Sequence, residues 1–302
     1  MVYLPPQYFD GEGPFPTVYY LPGYDDEIMY GVTVPRDFDR EFSSLPPMIV
    51  VVVPGVNTFG GSFFVDSPVT GYWSRFIWKD LVEFIDSNFN TIPNPASRGI
   101  AGHSMGGFGA LDISMRHPEV FGSVFAMAPG LFDEDGLQNS QMFEDETYIR
   151  RVVEMIDSLE GFDSEEVISR LAASFASFDV GYGMAFSPKT EAPFFDYPYR
   201  LEGGTLVRDE AVWSRWESGF GGIATEVEAF SDNLKSLTAI HIDSAANDEY
   251  RWIPQGAAYL DSQLTAAGID HVYLVHEGTH GNRLPYRIID HMLPFFAENL
   301  AR

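Results

Sequence analysis

Cysteine is absent from this chain of 302 residues. The absence excludes disulfide bonds, thiolate nucleophiles and zinc sites built from cysteine. Lysine is nearly absent, found only at Lys79, Lys189 and Lys235. No apolar run approaches the roughly 18 residues of a membrane-spanning helix. The first residues also lack the basic and apolar segments of a signal peptide, so we expect a cytoplasmic protein or an exported one whose signal has been removed.

Positive charge is scarce as a whole. The chain has 18 Lys and Arg residues against 44 Asp and Glu residues, and its formal net charge is −26. A surface of this sign repels nucleic acids and anionic membranes, so neither is expected as a partner. Two interpretations of the acidity stay open: adaptation to high salt, which screens self-repulsion, or simply an acidic enzyme. The hydrophobic share of 45% is typical of a globular protein.

Short apolar runs alternate with segments of helical periodicity along most of the chain. This order predicts an α/β fold with a mostly parallel central sheet and helices on both faces. The predicted strands are 17–21, 48–53, 98–103, 121–127, 237–244 and 271–276, and the predicted helices are 73–89, 106–116, 254–267 and 285–301.

The alternation stops between about 131 and 235. This stretch contains amphipathic helical patterns near 147–159 and 165–176, then an aromatic, proline-bearing segment at 193–199. Because no strand–helix repeat is visible there, we predict one domain over residues 1–302 with a largely helical cap, residues 131–235, inserted within it.

A hydrolase motif follows the third predicted strand. Residues 102–106 read GHSMG and match the G-x-S-x-G elbow, a sharp strand-to-helix turn that lifts the serine above the sheet. Side chains two positions before or after Ser104 would collide with such a turn. The pentapeptide alone is a weak signal among 28 glycines. The apolar strand before it and the helical pattern after it favour Ser104 as a nucleophile.

A serine nucleophile needs a base, usually histidine. Of the seven histidines, only His280 lies in a loop directly after the last predicted strand. Catalytic groups sit beyond the carboxyl ends of strands in such sheets, and the position satisfies the chain order serine, acid, histidine. His103, inside the elbow, is expected to point away from the serine. We therefore predict His280 as the base.

The acid is expected after the strand that precedes His280. Three carboxylates occur there, Asp243, Asp248 and Glu249. Asp243 falls within the strand and is expected to face the core edge or a helix. Asp248 lies just past the strand end, where a residue orienting the imidazole belongs, and Glu249 is the runner-up.

A tetrahedral intermediate needs backbone N–H donors for its oxyanion. The residue after the nucleophile, Met105, is predicted to supply one. The second is predicted from the turn after the first long strand, at Tyr24, with Asp25 as the alternative. Trp73 and Trp213 are further candidates for contact with substrate, although packing in the core or cap is the more frequent role of a single tryptophan.

With these residues placed, the chain resembles bacterial esterases of the esterase-D-like group, which includes feruloyl esterases and, more distantly, mycolyltransferases. The resemblance rests on residues 2–8 (VYLPPQY), 100–110 (IAGHSMGGFGA) and 278–280 (GTH). It implies the α/β-hydrolase fold and ester hydrolysis. Members usually have His-Gly where this chain has Pro22-Gly23, which departs from the group at the predicted oxyanion turn.

The predicted reaction is hydrolysis of a small-molecule ester through an acyl-enzyme on Ser104, without a metal or an organic cofactor. The aromatic residues of the chain suggest an apolar pocket for the acyl or aryl group. A short-chain acyl ester, a hydroxycinnamoyl ester or another aryl ester would fit such a pocket. Three alternatives stay open: acyl transfer to an alcohol other than water, a catalytically inactive scaffold that only binds, and a peptidase. Oligomeric state is not indicated by the sequence.

Overall fold

A seven-stranded sheet forms the centre of the molecule. The computed structural model describes residues 1–26 and 38–302. The strand order is β1-β3-β2-β6-β7-β10-β11, and every neighbouring pair is parallel except β1 and β3. These strands are β1 Val2–Tyr3, β2 Thr17–Leu21, β3 Ile49–Val52, β6 Arg98–His103, β7 Ser123–Met127, β10 Ala239–Ala245 and β11 Val272–His276. The predicted α/β fold with a mostly parallel sheet is confirmed.

Helices cover both faces of the sheet. Helix α2 (73–88) contains a π-helical turn, Phe76–Leu81, between Trp73–Arg75 and Val82–Asn88, and α11 (284–299) contains another, Ile288–Met292, between Leu284–Arg287 and Leu293–Asn299. The others are α1 Pro6–Phe9, α3 Met105–Arg116, α4 Glu146–Asp157, α5 Ser164–Ala172, α6 Ser177–Phe186, α7 Glu210–Phe220, α8 Ile223–Ala229, α9 Ser231–Ser236 and α10 Trp252–Ala266. Among the described residues, no helix is long and apolar enough to cross a bilayer.

The alternation of side chains along β2 explains why both faces are covered. Tyr19 and Leu21 belong to one buried apolar cluster, which includes residues of α3. Val18 and Tyr20 belong to a second cluster, which includes residues of α11. Because successive residues of a strand point to opposite faces, a strand that is apolar at every position must be buried on both sides.

The segment 131–235 lies between β7 and β10 and contains helices α4 to α9. It also contains a hairpin that the periodicity did not predict, β8 Tyr199–Glu202 paired with β9 Thr205–Arg208. A second short hairpin, β4 Asp66–Ser67 with β5 Gly71–Tyr72, precedes α2. The apolar side chains of the segment are continuous with the cluster around α3, which supports our proposal that it is an inserted cap of a single domain.

Candidate active site

Four loops meet at one edge of the sheet. They follow the carboxyl ends of β2, β6, β10 and β11 and carry Tyr24, Ser104, Asp248 and His280. Because β2, β6, β7, β10 and β11 are adjacent and parallel, their carboxyl ends all face the same edge. Ligand-binding and catalytic groups of open α/β sheets lie at this edge.

Ser104 occupies a turn that only small flanking residues permit. Its backbone has φ 56° and ψ −118°, a conformation rarely adopted by a residue with a side chain. A Cβ built on Gly102 would lie 2.1 Å from the carbonyl oxygen of Gly106, and one built on Gly106 would lie 1.9 Å from that of Leu21. The strained turn therefore requires glycine at both positions, as the elbow motif predicts.

His280 and Asp248 are in direct contact. The Nδ1 atom of His280 lies 2.8 Å from Oδ2 of Asp248, whose side chain is fully buried. The other oxygen, Oδ1, accepts a hydrogen bond of 2.9 Å from the N–H of Tyr250. With Nδ1 donating to the carboxylate, Nε2 is left as the proton-accepting nitrogen of a neutral imidazole.

The main chain of His280 is held from both sides. Its N–H donates to Oε2 of Glu249 at 3.0 Å, so the runner-up acid contacts the histidine backbone and not the ring. Its carbonyl accepts from Nε2 of His103 at 3.0 Å and from Nη1 of Arg287 at 3.3 Å. These bonds, together with the Asp248 contact, restrict the position of the imidazole.

His103 lies against His280, the predicted base. The sequence did not indicate this contact. The rings of His103 and His280 are 4.7 Å apart. Burial lowers the pKa of His103 well below its usual value, and the adjacent His280 lowers it further. The ring is therefore neutral at pH 7, and Nε2 carries the hydrogen that it donates to the His280 carbonyl.

Asp243 has a separate partner. Both of its oxygens contact the buried guanidinium of Arg287 on α11, Oδ2 at 3.1 Å from Nε. Oδ1 also accepts a hydrogen bond of 3.1 Å from the N–H of Ala128. The carboxylate is thus neutralised within the core, as expected for a residue that faces a helix. Within the described residues, Asp243 does not contact His280 directly, and Arg287 lies between them.

The N–H groups of Met105 and Tyr24 are available at the cavity. Among residues 1–26 and 38–302, no hydrogen bond uses either donor, whereas the N–H of Asp25 donates to the carbonyl of Gly60 at 2.9 Å. Gly23 lies against the elbow, since a Cβ there would lie 3.3 Å from Nδ1 of His103 and 3.5 Å from Cβ of Ser104. Tyr24 therefore fits an oxyanion donor better than Asp25.

A cavity of about 550 Å³ opens above Ser104. Ser104, His103 and His280 lie on the side of the sheet, together with the Tyr24 loop. The opposite side belongs to the segment 131–235, with aromatic side chains including Tyr148, Phe175, Phe178 and Phe220. The volume of the cavity is within the range of small-molecule sites. No direct hydrogen bond joins Ser104 to His280 in the described part of the chain, and such bonds often tighten only with substrate.

The model of the Esterase family matches residues 1–282. The chain belongs to this family. Its structure is similar to that of a ferulic acid esterase, with a TM-score of 0.62 and 18% identity over 99% of this chain and 91% of the other. An S-formylglutathione hydrolase from Agrobacterium tumefaciens gives a TM-score of 0.56 and 19% identity, with 99% and 89% covered. The α/β-hydrolase fold is thereby confirmed.

Curated relatives of this esterase match by sequence over shorter spans. Protein YbbA of Bacillus subtilis is 23% identical over 55% of this chain and 70% of its own length. Esterase Rv1288 of Mycobacterium tuberculosis is 29% identical over 40% of this chain, and the match spans only 27% of that protein. The family match over residues 1–282 makes the chain a carboxylic ester hydrolase of the serine carboxylesterase class.

The two tryptophans proposed to contact substrate do not border the cavity of this esterase. Trp73 lies in an apolar groove beside β1 and β3, where its Nε1 donates to the carbonyl of Thr70 at 2.9 Å. Trp213 is buried within the inserted segment, with its ring 5.0 Å from that of Phe143. Both are occupied by packing, and Trp252, on α10, is the tryptophan that borders the cavity.

Metal ligation has no counterpart in the described ranges, where no group of three or more His, Asp or Glu side chains is arranged to hold an ion. Asp248, Glu249, His103 and His280 instead contact one another or the main chain. The chemistry available at the site is therefore that of a hydroxyl, an imidazole, a carboxylate and backbone N–H groups.

Proposed function

We propose that this esterase cleaves small-molecule esters through an acyl-enzyme on Ser104, with His280 as base and Asp248 as its orienting acid. The observation that carries the proposal is the contact of 2.8 Å between His280 Nδ1 and the buried Asp248, in a cavity that Ser104 shares with His280. A carboxylate on Nδ1 directs Nε2 toward the reaction and stabilises the imidazolium that forms.

The first step is attack on the ester carbonyl. Ser104 Oγ forms a bond to the carbonyl carbon while His280 Nε2 accepts the hydroxyl proton. The negative charge moves to the carbonyl oxygen, which would accept hydrogen bonds from the N–H groups of Met105 and Tyr24. His280 then gives its proton to the departing alcohol oxygen, the carbon–oxygen bond of the ester breaks, and the acyl group remains on Ser104.

The second step releases the acid. A water molecule adds to the acyl carbon as His280 Nε2 takes one of its protons, and the bond to Ser104 Oγ breaks as His280 returns a proton to that oxygen. No redox change occurs and the protons balance over the two steps. The proposed substrates are esters of a short-chain acid, of a hydroxycinnamic acid or of another aryl acid. This choice rests on the aromatic side chains that border much of the cavity.

Hydrolysis of p-nitrophenyl esters of increasing acyl length, by wild type and Ser104→Ala, tests the proposal. We expect turnover by the wild type and none above background by the variant, with the acyl-length profile measuring the space available. The same series at low and high salt tests whether the acidity of the chain serves a saline environment. Turnover by Ser104→Ala equal to that of the wild type would exclude Ser104 as the nucleophile.

A further inference from the structure

Asp179 is a buried carboxyl group that the proposed mechanism does not use. It lies in the first turn of α6, borders the cavity above Ser104 and is only 1% exposed. Its Oδ2 accepts a hydrogen bond of 2.8 Å from the hydroxyl of Tyr148. Its Oδ1 has no hydrogen-bond partner among the described residues. A buried polar atom left unpaired costs about 1–3 kcal/mol, so a ligand that supplies a partner gains from binding there.

The charge around Asp179 restricts the chemistry of that ligand. Asp25 and Asp26 border the same cavity, and no Lys or Arg does so within the described residues. Substrates that carry a carboxylate or phosphate of their own are therefore disfavoured by repulsion. Burial raises the pKa of Asp179 to about 7 and that of Asp26 to about 6, so Asp179 is present both as acid and as carboxylate near neutral pH.

A hydroxyl group is the partner that fits both forms. When Asp179 is ionised, Oδ1 can only accept a hydrogen bond; when the proton is on Oδ1, that atom donates. A hydroxyl donates in the first case and accepts in the second. An ammonium group matches only the ionised form, and a carboxylate matches only the protonated form.

Helix α6 is packed directly against the loop predicted to hold the oxyanion. The ring of Tyr24 lies 4.9 Å from that of Phe178, edge to face. The hydroxyl of Tyr24 donates to the carbonyl of Phe59 at 2.7 Å, and Gly181 allows α6 to approach the same carbonyl, because a Cβ there would lie 2.9 Å from it. The helix that carries Asp179 is therefore in direct contact with the Tyr24 loop.

We propose that Asp179 is a specificity-determining residue, whose Oδ1 binds a hydroxyl that the ester carries away from the scissile bond. The proposal rests on the proposed function, because Ser104 must bind the reacting carbonyl in the same cavity. The hydroxyl can belong to the acyl part, as in a hydroxycinnamate, or to the alcohol part, as in a polyol ester. Both sources present the same group to Asp179.

Two matched pairs of esters distinguish the sources. Methyl 4-hydroxycinnamate and methyl cinnamate differ by a hydroxyl on the acyl side, and 2,3-dihydroxypropyl butyrate and propyl butyrate differ by hydroxyls on the alcohol side. In one pair we expect wild-type kcat/KM to be about tenfold higher for the hydroxylated ester, the effect of a single buried hydrogen bond. The pair that shows the preference identifies the side.

Asp179→Leu should bring this ratio close to one, because leucine has a similar size and no hydrogen-bonding atom. Asp179→Ala is the second variant if leucine does not fold at this position. The control is Asp157→Leu, an exposed residue at the end of α4, which should keep the wild-type ratio. Since both esters of a pair react at the same Ser104, a general loss of activity cancels in the ratio.

Two results would overturn the inference while leaving the proposed function intact. One is turnover of all four esters by the wild type with a ratio of one in both pairs. The other is a preference that persists in both Asp179 variants. A wild type that cleaves no ester and whose Ser104 takes no fluorophosphonate label would instead overturn the proposed function, and the Asp179 inference with it.

Discussion

The two walls of the cavity differ in how their polar groups are satisfied. On the sheet wall, both oxygens of Asp248 are bonded, to His280 and to the N–H of Tyr250. On the wall formed by the segment 131–235, Asp179 has one bonded oxygen and one without a partner. The orienting carboxylate of the sheet wall thus has both oxygens bonded before any substrate binds, as a preorganised catalytic site requires. On the inserted wall, Oδ1 of Asp179 is left for a hydrogen bond from a bound substrate.

The walls also differ in what holds them. Ser104 and His280 are fixed by backbone turns and main-chain hydrogen bonds at the ends of adjacent parallel strands. Tyr148 and Asp179 come from two helices of an insertion and are fixed by side-chain packing. We therefore expect substitutions on the sheet wall to affect the rate for every ester. Substitutions on the inserted wall should change which esters are preferred.

Ser104→Ala should have the largest effect. Loss of the nucleophile should lower kcat by about 10⁶-fold, as in other serine hydrolases, for every ester in a panel. Steady-state kinetics and fluorophosphonate labelling measure the loss. Ser218→Ala, on the exposed surface of α7, should leave kcat unchanged. If Ser104→Ala lowered kcat for only some esters, the sheet wall would not act on every substrate, and the difference drawn between the two walls would be wrong.

Asp248→Asn should lower kcat by about 10⁴-fold, because an amide favours the wrong tautomer of His280. The matched control is Glu249→Gln, next in the chain, which changes a carboxylate that accepts from the His280 N–H. Its loss should be less than about tenfold, the effect of weakening one hydrogen bond. Equal losses in the two variants would show that Asp248 has no special role.

Arg287→Met should lower the free energy of unfolding by about 3–5 kcal/mol, since Asp243 would be left as an uncompensated buried charge. It should also reduce kcat, because Arg287 contacts the His280 carbonyl. Urea unfolding measures the first effect. Arg170→Met removes an ion pair in which both side chains are 47% exposed and a cation–π contact with Phe162, and should cost at most about 1.5 kcal/mol. Similar costs at the two positions would contradict the role given to burial.

Gly106→Ala should lower the free energy of unfolding by about 3 kcal/mol, the upper end for an overfilled core. The added Cβ would overlap the carbonyl oxygen of Leu21, so β2 and the elbow must separate. Gly281→Ala is the control, because a Cβ there meets nothing within 4 Å. Thermal unfolding compares them, and a Gly106→Ala variant as stable as the wild type would disprove the steric account of the elbow.

Asp179→Asn should act on the dependence of stability on pH. Burial raises the pKa of Asp179 to about 7, so the folded state keeps a proton that the unfolded chain releases from about pH 4. Wild-type stability should therefore fall as the pH rises through this window, by up to about 1.4 kcal/mol per pH unit, and level off above pH 7. The variant lacks this decline. A stability difference that stays constant between pH 4 and 7 would contradict the raised pKa.

Short-range physics made the sheet wall predictable from the sequence. The strand–turn–helix pattern around Ser104 depends on glycines two residues away, and the structure shows the collisions that they prevent. The site of His280 follows from a strand that ends four residues earlier. Both depend on neighbours in the chain, so periodicity and spacing were sufficient to predict their positions at the strand ends.

The residues that border the cavity from the inserted segment could not be predicted in this way. Trp73 and Trp213 both lie away from the cavity, and the residues next to them in the chain do not indicate this. Asp179 lies 75 positions from Ser104 by their residue numbers, and only the packing of α6 on the Tyr24 loop brings it there. The hairpin of β8 and β9 was missed for a related reason, because its short strands alternate without a strongly apolar face.

By itself, the amino-acid sequence determined the class of fold, the elbow at Ser104 and the strand ends that carry Asp248 and His280, because these follow from local sterics and from the order of elements. Only the tertiary structure decided which carboxylate contacts the imidazole and which contacts Arg287. It also decided that His103 supports the His280 main chain and that Asp179 faces the substrate cavity. The physical reason is that these contacts join residues far apart in the chain, and their partners are selected by packing.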